Sequence, residues 1–99
     1  MTGKENIIDL KINAVLQNSP YIPDERIVAE LRRLKSLGQP PSALLMYLKN
    51  ELPIVSGLYF IEYFRTAFDM SLKAAKPAAG WLSGEIPDER IDRFISEEW

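Results

Sequence analysis

Residues 21–38 read YIPDERIVAELRRLKSLG, and this stretch carries the clearest structural signal in the chain. Pro23 suits the first position of a helix, because its φ is already near the helical value and it has no amide proton to leave unpaired. The two acidic residues after it favour the positive end of a helix dipole. Gly38 and the two prolines that follow it predict the helix end. The apolar residues recur at the spacing of one face of an amphipathic helix: Ile27, Val28, Leu31 and Leu34.

The hexapeptide IPDERI within this stretch occurs twice, at residues 22–27 and again at 86–91. In each copy the two isoleucines are five residues apart, the separation at which a hydrophobic staple closes over the first turn of a helix. Beyond the six shared letters the copies diverge, into VAELRRLKSLG and DRFISEEW. We therefore interpret the repeated word as a helix-start signal used twice, and not as a duplicated module.

The remaining segments also show helical periodicity, and none shows a convincing β-hairpin signal. Helices are expected near residues 5–17, 41–52, 54–68 and 70–80, the last with Ser71 as N-cap and with Pro77 and Gly80 at its end. The sequence thus predicts an all-α fold, a compact bundle of five or six short helices that spans residues 1–99 as a single domain. The predicted core contains Ile8, Ile12, Ile27, Leu31, Leu34, Leu45, Leu48, Ile61, Phe64, Phe68, Trp81, Ile91 and Phe94.

Composition excludes several classes of chemistry. The 99 residues include no cysteine and no histidine, which removes disulfides, thiolate catalysis, cysteine-bound metals and the usual acid–base side chain. The five glycines are scattered, so no phosphate-binding loop is present. The sequence therefore predicts a protein that is not an enzyme and that binds no cofactor and no metal.

Membrane insertion is not expected either. Even the longest apolar runs, residues 43–48 and 58–61, are far shorter than the roughly 20 residues that span a bilayer. The first ten residues, MTGKENIIDL, lack the apolar region of a signal peptide. A cytoplasmic location is therefore expected.

Charge is segregated along the chain, although the net charge is only −2. Residues 26–49 carry five basic side chains and one acid, whereas residues 84–99 carry six acids and two arginines. The acidic end favours docking of a basic protein partner, such as a toxin or nuclease, through long-range steering. Its acidic residues are Glu85, Asp88, Glu89, Asp92, Glu97 and Glu98. Glu85 and Asp88 could ligate a hard cation, but they do not have the spacing of a calcium-binding loop.

Aromatic residues could anchor such a partner. Tyr59 and Tyr63, four residues apart, lie off the main apolar stripe of their helix and are predicted to form a surface pair. Trp99 follows two glutamates, and it either folds back onto the body of the protein or waits for a partner.

The basic stretch allows a different class of function. It has the order helix, glycine-containing turn and helix of a helix-turn-helix DNA-binding protein, with Arg26, Arg32, Arg33 and Lys35 as candidate contacts. However, its second helix reads SALLMYL, which offers few polar side chains to base edges.

The leading hypothesis is a small protein-binding module, and within that class a bacterial inhibitor or immunity-type protein that neutralises its partner. The alternatives are a nucleic-acid-binding regulator and a structural or adaptor subunit. The carboxylates best placed for catalysis, Glu62 and Asp69, have Arg65 between them on the same helix face, and the three are predicted to form a surface ion-pair chain.

Overall fold

Most helices of this protein begin or end close to a proline or glycine of its sequence. The computed structural model describes residues 22–99, so the predicted helix at 5–17 and the predicted core residues Ile8 and Ile12 lie outside the described range. Within 22–99 the fold is all-α, with no β-strand. Its helices are α1 (Glu25–Ser36), α2 (Pro41–Glu51), α3 (Gly57–Phe68), α4 (Leu72–Ala75), α5 (Pro77–Leu82) and α6 (Asp88–Ser96).

Helix α3 lies at the centre of the domain. It packs against α1, α4 and α5, while α6 packs against α2, α4 and α5, and α1 contacts α2. Helix α3 takes this position because its sequence, GLYFIEYFRTAF, is more apolar than those of α1, α2 and α6 and provides buried side chains on more than one face. Its buried residues are Phe60, Ile61, Tyr63, Phe64 and Ala67.

Most of the predicted core is confirmed. Leu31, Leu45, Leu48, Ile61, Phe64 and Ile91 are buried, and Ile27, Leu34, Phe68 and Trp81 are half-buried against that core. The prediction for Phe94 is wrong, because its ring is half-buried outside the core cluster, next to the guanidinium of Arg90 at 5.4 Å. Ile95 takes the core position instead, since it lies one helical turn after Ile91 on the same face.

Helix α1 begins two residues later than the proline signal suggested. Asp24 is the N-cap, and its carboxylate accepts a hydrogen bond of 2.8 Å from the Arg26 amide. Pro23 therefore precedes the cap and does not occupy the first helical position. The predicted staple between Ile22 and Ile27 is wrong, because Ile22 is 82% exposed.

The second IPDERI copy starts α6 in a different way. Here the proline, Pro87, is the N-cap, and Asp88 is the first helical residue. The Asp88 carboxylate accepts a hydrogen bond of 2.6 Å from the Trp81 indole nitrogen instead of capping its own helix. Ile86 is half-buried, in contrast to the exposed Ile22 of the first copy. The repeated word thus begins a helix twice, and its surroundings decide how its side chains are used.

The region predicted as one helix over 70–80 is broken. Ser71 caps α4 as predicted, since its hydroxyl accepts a hydrogen bond of 3.1 Å from the Ala74 amide. Pro77 does not end the helical region but begins α5, which continues through Gly80 to Leu82. Proline is well tolerated at the first position of a helix, so the same residue that stops α4 starts α5.

Candidate protein-binding surface

The acidic end of the chain divides into exposed and engaged carboxylates. Glu85, Glu89, Glu97 and Glu98 are exposed. Glu97 and Glu98 follow α6 and help to line a shallow cavity of about 400 Å³. Phe94 lines the same cavity and places an aromatic ring beside these carboxylates. Glu97 and Glu98 lie just after the end of α6, whereas Glu85 precedes this helix and Glu89 lies in its first turn. We call these four exposed glutamates the acidic surface.

Asp92 has a structural role instead. Its Oδ1 accepts a hydrogen bond of 2.7 Å from the amide of Ser42, in the first turn of α2. That turn begins with Pro40 and Pro41, and no side chain from its own segment caps it. Asp92 therefore caps α2 from α6, across fifty residues of sequence, and joins the two helices. One oxygen of this carboxylate is therefore already engaged within the protein.

Asp88 is also engaged within the chain. It remains on the exposed side of α6, but its Oδ1 accepts the hydrogen bond from the Trp81 indole. The Trp81 ring stacks on Phe60, with 6.5 Å between ring centroids. Asp88 thereby fixes the polar edge of a ring that covers the core.

Trp99 folds back onto the body of the protein. Its ring is nearly parallel to that of Phe64, at a centroid distance of 6.3 Å, and meets Phe68 edge to face at 5.0 Å. The ammonium of Lys35 lies 5.1 Å from the centre of the Trp99 ring and 5.3 Å from that of Phe68. Of the two predicted alternatives for Trp99, the structure shows the first. Its ring serves as a half-buried cover over α3 and not as a projecting anchor.

The predicted surface pair of tyrosines is wrong for Tyr63. This residue is only 1% exposed, and its hydroxyl oxygen accepts a hydrogen bond of 2.8 Å from the Asp24 amide. The buried phenol thus satisfies the backbone at the start of α1, which the sequence pattern did not reveal. Tyr59 is half-buried and packs against the core. Neither ring projects as a partner anchor.

The four basic residues proposed for nucleic-acid contact all have intramolecular interactions. Arg32 donates to the carbonyl oxygens of Ala67 and Thr66, at 2.9 and 3.2 Å, and thereby caps the last turn of α3. Lys35 lies over two aromatic rings, as described above. The other two, Arg26 and Arg33, form ion pairs on the surface.

These ion pairs change the acidity of their partners. The Arg33 guanidinium binds both carboxylate oxygens of Glu30, at 2.8 and 2.6 Å, and this hydrogen bonding lowers the pKa of Glu30. The side-chain hydrogen bond from Arg26 likewise lowers the pKa of Asp24. Both pairs are short-range in sequence and lie at the surface, so each stabilises the fold only slightly.

The predicted chain of Glu62, Arg65 and Asp69 is only partly present. Glu62 and Arg65 are half-buried, with 3.9 Å between their nearest charged atoms. Asp69 is exposed and ends α3 in the left-handed conformation, at a φ of 54°. The cavities beside Phe94, Leu58, Tyr47 and Val28 are lined by residues other than these three.

A second groove was not foreseen from the sequence. It lies beside α3 and α5, has a volume of about 460 Å³, and is lined mainly by apolar side chains. Two exposed lysines, Lys73 and Lys76, also line it. The only hint in the sequence is their spacing of three residues, which puts both on one side of a short helical region.

Over residues 22–99, no group of three or more acidic residues is arranged to hold a metal ion, and no helix is long and apolar enough to cross a bilayer. Comparison with known proteins adds no functional assignment. No protein-family model matches the chain, and neither the curated proteins nor the solved structures include a significant match to it.

Proposed function

We propose that this protein is a small, non-catalytic protein-binding module that recognises a basic partner through its acidic surface. The observation that supports this proposal is the contrast between the basic residues at 26–35 and the acidic residues near α6. The four basic residues between positions 26 and 35 are engaged by the protein itself, whereas Glu85, Glu89, Glu97 and Glu98 are exposed at or near α6. Exposed charge of one sign attracts a partner of the opposite sign.

Within this class, we propose an inhibitor or immunity-type protein of bacteria that neutralises a basic toxin or nuclease. A neutralising protein must associate quickly, and a field of unpaired carboxylates raises the association rate by about tenfold or more at low salt. The acidic surface provides this steering without requiring catalytic groups. Phe94, half-buried beside Glu97 and Glu98, supplies apolar area at the same place.

The test begins with capture of the partner from a native cell lysate and continues with association kinetics on the purified pair. The variant Glu97→Lys/Glu98→Lys reverses two exposed charges after the end of α6, where positive charge also suits the helix dipole, so folding should be unaffected. We expect its association rate to fall by about tenfold at low salt, and the difference to shrink as salt screens the charges.

The matched control is Glu25→Lys/Glu51→Lys, which makes the same change in net charge at exposed positions of α1 and α2. This control should lose much less association rate than the first variant. Equal effects of the two variants, or no effect of either at any salt concentration, would contradict the role of the acidic surface.

A gel-shift series tests the alternative of nucleic-acid binding. That function requires Arg26, Arg32, Arg33 and Lys35 to leave their present partners, and its affinity should fall steeply with salt. A gel-shift series that shows binding at moderate salt, lost in Arg32→Ala, would favour this alternative over the proposed function.

A further inference from the structure

The groove beside α3 and α5 combines an apolar lining with a positive edge. Half-buried Leu58 of α3, Pro77 of α5 and Ile86 line it with apolar atoms, and the buried Ile61 lies beneath them. Lys73 and Lys76 line it as well and are exposed, so their ammonium groups are accessible at the groove. Glu85 is the one carboxylate among its lining residues, which leaves a local excess of one positive charge.

Close packing fixes the shape of this groove. A Cβ atom on Gly80 would lie 2.7 Å from Ile86 Cδ1, and a Cβ atom on Gly57 would lie 2.9 Å from Ala79 Cβ. The two glycines therefore allow Ile86 to approach α5, and α5 to approach α3. The amides of Glu85 and Ile86 both donate to the Gly80 carbonyl oxygen, at 2.9 and 3.2 Å, which holds the segment before α6 against α5. An apolar surface organised before binding costs less conformational entropy when a partner docks.

We propose that this groove docks a segment of a partner protein that inserts apolar side chains and carries acidic residues beside them. The groove is shallow and open, whereas small-molecule sites enclose most of their ligand. An open apolar surface with a charged border instead resembles the centre and rim of a protein interface. Lys73 and Lys76 favour a partner segment with acidic side chains, because they would repel basic side chains at the same positions.

This inference goes beyond the proposed function and concerns an adjoining groove whose net charge is positive, although Glu85 of the acidic surface also lines it. The two surfaces adjoin, since Lys73 and Pro77 also line the cavity next to Glu97 and Glu98. A single partner that contacted both would have to present an acidic apolar segment beside a basic region. The groove is tested without that partner, so the two proposals can fail separately.

The probe is a short synthetic helical peptide with leucines along one face and glutamates flanking that face. It is compared with the same peptide carrying lysine in place of glutamate. Titration of the full-length, isotopically labelled protein is followed by the shifts of its backbone amide resonances. We expect the glutamate peptide to shift the resonances of Leu58, Gly80 and Ile86, and the lysine peptide to bind roughly tenfold more weakly.

The decisive variant is Lys73→Glu/Lys76→Glu, since both side chains are exposed and their reversal leaves the core intact. It should reverse the preference between the two peptides, while Lys49→Glu on α2, also exposed, should preserve the original preference. The proposal is overturned if the glutamate peptide shifts no groove resonance at millimolar concentration, or if the double variant keeps the original preference.

Discussion

Replacement of Asp92 by alanine should destabilise the fold far more than its place on an acidic, solvent-facing helix suggests. Its Oδ1 accepts the Ser42 amide at 2.7 Å, and that amide has no other route to a partner within its own turn. Pro41 has no amide proton, while the amides of Ala43 and Leu44 already donate to the Pro40 carbonyl oxygen, at 3.0 and 3.3 Å. The Ser42 amide is therefore the one donor of this first turn that depends on α6.

The magnitude follows from the interactions that are lost. Removal of a helix-capping acceptor costs about 1 kcal/mol. Loss of a carboxylate at the positive end of a helix adds about 0.5 kcal/mol, and the half-buried amide left without an acceptor raises the cost further. We expect the free energy of unfolding to fall by about 2 kcal/mol, which for a domain of this size corresponds to a decrease in Tm on the order of 10 °C. Asp92→Asn keeps an acceptor oxygen but loses the charge, so it should cost only about 1 kcal/mol.

Urea unfolding followed by circular dichroism measures these differences, with an unchanged m-value as the sign that unfolding stays two-state. Glu98→Ala is the control, because it removes an exposed carboxylate after α6 and should change the free energy of unfolding by less than about 0.5 kcal/mol. If Asp92→Ala is as stable as Glu98→Ala, the capping interaction does not stabilise the protein and the reasoning is refuted.

Two further predictions concern the aromatic cover and the acid stability. Trp99→Ala removes the ring packed on Phe64 and Phe68, and thermal unfolding should show a free energy of unfolding lower by about 2 kcal/mol. Trp99→Phe should lose about half as much stability. Equal losses in the two variants would argue against the ring contacts. Hydrogen bonds from Arg33 lower the pKa of Glu30 in the folded state, so the unfolded chain binds this proton more tightly. The resulting stabilisation is fully present above the ordinary pKa of 4.5, and it is lost as the pH falls through the lowered pKa. Arg33→Ala should therefore flatten the loss of stability between about pH 5 and pH 3, while Lys49→Ala, which removes another exposed cation, should leave that slope unchanged; identical slopes in the two variants would exclude the Glu30 pair as a cause.

The fold class could be predicted because helix signals are local. Helix α1 is predicted by the apolar spacing from Ile27 to Leu34 and by Gly38 and the prolines after it. Each of these signals acts within a few residues of chain, and the structure has the helix at Glu25–Ser36. The same reasoning located α2, α3 and α6. It failed at Pro77, because a proline that ends one helix is equally suited to start the next, and only the packing of α5 against α3 and α6 selects the second outcome.

The candidate site was predicted less completely, since charge alone does not say which carboxylates are used by the fold. Asp88 and Asp92 cannot be distinguished in sequence from Glu89 or Glu98. Asp88 and Asp92 differ from these glutamates because donors on other helices, the Trp81 indole and the Ser42 amide, form hydrogen bonds with their carboxylates. The groove beside α3 and α5 was missed for the same reason, because its walls come from segments that are distant in sequence.

By itself the sequence determined that this chain is helical, where most helices begin and end, and that histidine and cysteine chemistry is absent. Tertiary structure alone decided how identical side chains are used. In the two IPDERI copies, Asp24 caps its own helix whereas Asp88 binds an indole, and Ile22 is exposed whereas Ile86 packs against Gly80. The physical reason is one of range. Helix formation depends on backbone preferences over a single turn, but burial and hydrogen-bond partners depend on which distant residues the packed helices bring into contact.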